Sequence, residues 1–121
     1  MPGEVLFNAK DNLIEIHSWG KLTNREMLQS QCEVERLYQE SKTTKVLFDT
    51  EAVEALPSPY ILYEFVVSLL DTKNPVDLRI ALLTRVALQN DMRFVETVAV
   101  NRGILARYFL DRPQALTWLN H

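Results

Sequence analysis

Lys45-Val46-Leu47-Phe48-Asp49 is the stretch that decides the fold. Successive side chains of a strand point to opposite faces, so an unbroken apolar trio between charged residues predicts a strand covered on both sides. A strand of that kind belongs at the centre of a sheet with layers above and below it. The segments on either side are therefore read for helices that supply those layers and for further strands.

Toward the N-terminus, Glu4 to Asn8 and Leu13 to Trp19 alternate β-branched or aromatic residues with polar ones around the turn signal Lys10-Asp11-Asn12, which predicts an edge hairpin. Thr23-Asn24-Arg25-Glu26 has the spacing of a capping box. A helix is expected from there to about Glu40, with Met27, Leu28, Cys32, Val34, Leu37 and Tyr38 as its apolar stripe and Arg25, Glu33, Arg36 and Glu40 toward water. On this reading Cys32 is a core thiol.

Toward the C-terminus, a loop after Asp49 leads to Ser58-Pro59, where Ser caps a helix and Pro suits its first turn. That second helix is expected to reach about Leu70, and Asn74-Pro75 breaks the chain. Leu78 to Thr84 reads as another buried strand. A third helix over about Gln89 to Arg102 carries Met92, Val95, Val98 and Ala99, and Gly103 stops it. Ile104 to Leu110 reads as the last strand, and Asp111 with Pro113 opens a final helix carrying Leu116 and Leu119. The expected order is β-β-α-β-α-β-α-β-α, a single α/β domain over residues 1–121. Its five-stranded sheet is mixed and mostly parallel, with four helices and right-handed crossovers that bring the last three strands parallel.

Composition narrows the function classes. The 121 residues suit one domain, and 47% apolar residues suffice for a layered core. With 13 basic and 16 acidic side chains the net charge is −3, and no block of five like charges appears, which disfavours nucleic acid. One cysteine cannot form an internal disulfide, and Met-Pro-Gly-Glu resembles no secretory leader, so a reducing cytoplasm is expected. The most apolar stretch, Tyr60 to Leu70, is interrupted by Glu64 and Ser68 and falls short of the ~20 residues of a membrane span.

The element order resembles that of a STAS domain, the fold of the bacterial anti-sigma-factor antagonists. Tyr108-Phe109-Leu110-Asp111-Arg112-Pro113-Gln114-Ala115-Leu116-Thr117-Trp118-Leu119 is similar to the strand-to-helix ending of the SpoIIAA-like (STAS/SEC14-type) family, whose members often close on an Ala-Leu-x-Trp-Leu helix. Val46-Leu47-Phe48-Asp49 is similar too. The resemblance implies a non-enzymatic switch or binding domain of bacterial origin, with a phosphorylated Ser or Thr at the start of the second helix, here near Ser58. The chain departs from that pattern at Thr50-Glu51-Ala52-Val53-Glu54, which replaces a Ser-rich, Gly-containing loop.

Ser58 thus has two readings, a plain helix cap and a phosphoacceptor whose phosphate would sit at the positive end of the helix dipole, opposed by Glu51 and Glu54. Ligands of parallel α/β sheets sit beyond the carboxyl ends of strands, which points to Asp49-Thr50, Thr84-Arg85 and Asp111-Arg112 as a ligand or partner loop. Asp49 lacks the acidic and lysine companions of a receiver phosphoacceptor and is read as a turn cap. His17 shares a strand face with Glu15 and Trp19 and is read as a surface or partly packed residue. One cysteine and two histidines assemble no conventional zinc set, and three glycines make no phosphate loop. No metal, cofactor or catalytic constellation is expected.

The second helix is the anomaly. Apolar residues from Tyr60 to Leu70 surround nearly its whole circumference, whereas a helix on a sheet needs a polar outer side. Neighbouring helices, a homodimer or partner interface through Tyr60, Tyr63 and Val67, or a groove for an apolar ligand would each supply the cover. The expected function is a cytoplasmic, STAS-like binding or regulatory module acting through protein contacts. The alternative is a carrier of a small apolar or lipid-like ligand.

Overall fold

The computed structural model describes residues 3–56, 58, 60–64 and 79–120. These form a five-stranded sheet in the order β1 (Gly3–Asn8), β2 (Leu13–Lys21), β3 (Lys45–Ala55), β4 (Arg79–Leu83), β5 (Leu105–Phe109). The hairpin pair β1–β2 is antiparallel, and every later pair is parallel. Asn12 turns the hairpin in the left-handed region, which asparagine tolerates.

The helices are α1 (Asn24–Ser41), α2 (residues 60–64), α3 (Gln89–Asn101), preceded by a 3-10 turn at Val86–Leu88, and α4 (Arg112–Leu119). The Thr23 side chain caps α1 as its spacing requires, although the Glu26 carboxylate accepts from the Thr23 hydroxyl at 2.8 Å. Asp111 caps α4 by accepting the Gln114 N–H at 3.1 Å, and Gly103 ends the α3 segment at φ +83°.

Strand alternation divides the core into two layers. Ile14, Ile16, Val46, Phe48, Ile80 and Leu82 face α1, α3 and Leu62 of α2. Leu13, Leu47, Ala81, Leu83 and Phe109 face α4, through Ala115 and Leu119. Val46-Leu47-Phe48 therefore feeds both layers, as its unbroken apolar run requires. Three further contacts fasten α4. Arg79 donates to the Trp118 carbonyl at 2.8 Å and stacks on its ring, Lys45 donates to the Asn120 side chain at 2.7 Å, and Phe109 meets Trp118 with centroids 5.7 Å apart.

Three expectations are corrected. β3 continues through the expected loop to Ala55, because Ala52, Val53 and Ala55 extend the pairing with β2 past a register shift. At the far edge of the sheet, β5 is shorter than expected and leaves out Ile104 and Leu110. Cys32 is exposed. At 3.6 residues per turn it lies about 140° around α1 from Met27, while the buried positions Met27, Val34 and Leu37 share one side. The expected continuation of α2 to Leu70, including Val67, lies outside the described residues.

Replacing Leu119 by Ala should lower stability by about 2–5 kcal/mol, the cost of truncating a leucine in a packed layer. Urea unfolding checks it, and an unshifted midpoint would mean that α4 does not close the second layer.

Candidate functional site

The carboxyl edge of the sheet is where the sequence places a ligand. Thr50 and Thr84 are both fully buried there. The Thr50 hydroxyl donates to the Leu83 carbonyl at 2.8 Å, joining β3 to the end of β4. Arg85 donates to the Val53 carbonyl at 2.8 Å. Asp49 lies on the opposite side of β3 from Thr50. Of the six residues expected there, Thr50 and Thr84 are interior, Arg85 holds the extended β3, Asp111 caps α4, and Asp49 and Arg112 belong to a different cluster.

Ser58 stands at the start of α2, where the Ile61 N–H donates to its hydroxyl at 3.4 Å and to its carbonyl at 3.0 Å. Its side chain is exposed. Two large apolar residues flank this edge in water, Tyr60 at 64% exposure and Val86 at 74%. Tyr63 is half-buried, with the Arg102 guanidinium of α3 5.8 Å from its ring centroid. Capping and exposure thus coincide at Ser58, which leaves its hydroxyl reachable from solvent.

A second cluster lies on the α4 side of the sheet. Glu15 is 3% exposed and is the hub. Arg112, the first residue of α4, donates to both its carboxylate oxygens at 3.0 and 2.9 Å, and the Asn8 amide donates to it at 2.7 Å. His17 Nε2 lies 2.7 Å from Glu15 Oε1, and His17 Nδ1 lies 3.2 Å from Asp49 Oδ2. Whichever tautomer the ring adopts, a carboxylate accepts its N–H. Asp49 also accepts the Glu51 N–H at 2.9 Å, a local bond made within the extended β3 and not at the turn expected there. Burial pushes the Glu15 carboxyl up, but hydrogen bonds from Asn8, Arg112 and His17 outweigh it and hold the group below its ordinary 4.5. Glu51 moves the other way, raised by burial and by the neighbouring Asp49 and Asp111 charges against the pull of Arg112.

Sequence reading placed Glu15 and His17 on one strand face without joining them to Arg112, which is 97 residues from Glu15. The available signal was period-two alternation, which sets Glu15, His17 and Asp49 on one side of adjacent parallel strands. Both imidazole nitrogens face carboxylates, so the cluster is built to hold strands and α4 in place. Among the described residues, no group of three His, Cys, Asp or Glu side chains is arranged to hold a metal ion, and no helix is long and apolar enough to cross a membrane.

This architecture is the SpoIIAA-like fold of STAS domains. A crystal structure of an uncharacterized DUF3478-family protein with a SpoIIAA-like fold from Shewanella loihica PV-4 superposes with a TM-score of 0.64 at 21% identity, over 97% of this chain and 91% of that one. An anti-sigma factor antagonist from Mycobacterium paratuberculosis gives a TM-score of 0.71 at 14% identity, over 98% of this chain and 95% of that one. No protein-family model matches the sequence, and no curated protein matches it. At these identities the likeness is one of fold.

The Glu15 contacts have a pH signature. A carboxyl held low in the folded protein contributes stability that is present above its unfolded value and is lost as pH falls through the folded one. Between about pH 6 and about pH 3, wild type should therefore lose more stability than Glu15→Gln, as followed by denaturant midpoints. Parallel curves for the two proteins would contradict the assignment. At neutral pH, Arg112→Ala should cost about 1–3 kcal/mol, because it leaves a buried carboxylate short of its main donor.

Proposed function

We propose that this protein is a STAS-like binding or regulatory module that works through protein contacts at the carboxyl edge of its sheet, where α2 begins. The observation that supports this best is the exposed Ser58 hydroxyl at a helix start, two residues before solvent-facing Tyr60, with Val86 also exposed just after β4. Exposed aromatic and aliphatic residues beside polar ones are the makings of a contact surface. A phosphate on Ser58 would stay compatible with the helix start, since the dipole favours negative charge there, while changing the charge of that surface. The fold shared with an anti-sigma factor antagonist agrees with a switch of this type. The carboxylates around His17 occupy both ring nitrogens, which favours a non-enzymatic role.

The proposed setting is the bacterial cytoplasm. A homodimer through Tyr60, Tyr63 and Val67 is the proposed form of self-association, and light scattering over a range of concentrations tests it.

Ser58→Asp should fold as wild type does, because a carboxylate also caps a helix, and should lose or alter partner retention. Affinity capture from the native cell extract with wild type, Ser58→Asp and Ser58→Ala compares them. Equal retention of the same partner by all three would reduce Ser58 to its capping role. A reproducible added mass in native mass spectrometry of the purified protein would favour the apolar-ligand carrier instead.

A further inference from the structure

The α4 side of the sheet is only partly covered. The eight residues of α4 lie against β3, β4 and β5, and the rest of that face, over β1 and β2, carries no helix among the described residues. Its open part holds a groove of about 370 Å³ lined by Glu4, His17, Trp19, Asp49 and Glu51. Trp19 forms an aromatic wall at 42% exposure. Glu4 of β1 and Asp49 of β3 both sit opposite His17, and Glu51 follows on β3, so both flanking strands bring carboxylates to the groove.

The charges of this groove are unbalanced. Arg112, the nearest cation in the cluster, is committed to both oxygens of Glu15. Among the described residues neither Glu4 nor Glu51 makes a salt bridge, and Glu51 is held high in proton affinity by burial and by Asp49 and Asp111. An indole face beside unpaired carboxylates complements one kind of group, a cation with a delocalised or apolar surface that stacks on the ring while pairing with the acids. A guanidinium meets both demands.

We propose that this groove is a docking surface for an arginine side chain presented by a segment of a partner protein. The groove opens on the α4 face of the sheet, whereas α2, which Ser58 begins, packs on the other face through Leu62, so the peptide test reads this groove and not the role assigned to Ser58. A second copy of this chain is the competing occupant, and the test separates the two.

The probe is the tripeptide Gly-Arg-Gly amide, with Gly-Glu-Gly amide as control, titrated at fixed pH to millimolar concentration into isotope-labelled protein. The expected result is that the indole N–H of Trp19 and the backbone resonances of His17 and Glu51 shift with the arginine peptide alone. Salt should weaken binding. Glu51→Gln and Glu4→Gln, both at exposed positions, should each reduce affinity about two- to fivefold, the range for a single exposed ion pair. Absence of shifts, equal shifts with both peptides, or affinities unchanged in the Glu4→Gln/Glu51→Gln double variant would overturn the proposal. So would concentration-dependent shifts of Trp19 without peptide, which would place a second copy in the groove.

Discussion

The two faces of the sheet are covered unequally, and most of what is particular to this protein follows from that. In a sheet whose strands run in sequence order, the crossover helices stack on one side, and the chain must find another element for the other. Here α1, α2 and α3 share one face, and among the described residues α4 is the helix on the second. Its eight residues lie mainly against β3, β4 and β5 and reach β2 through Arg112 at the helix start. The open part of that face over the first two strands must therefore tolerate water, and Glu4, His17 and Trp19 there are of a kind that does so.

Where α4 stops, polar chemistry takes over from apolar packing. Arg112 at the start of the helix reaches the buried Glu15, and the same carboxylate collects Asn8 and His17. A charge so deeply buried is costly unless its partners are well placed, and removing one donor leaves the others insufficient. The cluster therefore fixes the start of α4, while Lys45 and Arg79 hold its far end through Asn120 and the Trp118 carbonyl. Position is what these side chains supply, and the open groove beside them keeps its shape because they are held.

How much of this was legible depended on the range of the interaction. Val46-Leu47-Phe48 announced a doubly covered strand, and Thr23 and Asp111 announced helix starts, because each of those signals is complete within a few residues. The continuation of β3 through Thr50 to Ala55 was not legible. Its acidic residues read as loop, and only the register-shifted pairing with Gly20 and Lys21 makes them strand. Cys32 misled because a stripe of six apolar residues on α1 is wider than the surface the sheet offers, so the outermost member faces water. The Glu15–Arg112 pair joins the second strand to the last helix, and no local pattern predicts which arginine a distant carboxylate will meet.

Quenching of Trp19 fluorescence in a Trp118→Phe variant tests most directly whether an open, acidic, tryptophan-walled half-face lies beside the clamped α4. Caesium and iodide ions, each scaled to their quenching of free indole, should differ sharply. Negative potential concentrates cations and repels anions at an accessible ring, so caesium is expected to quench more efficiently than iodide, with the difference shrinking as sodium chloride is added. Equal scaled quenching by the two ions, or protection of Trp19 from both, would contradict the account.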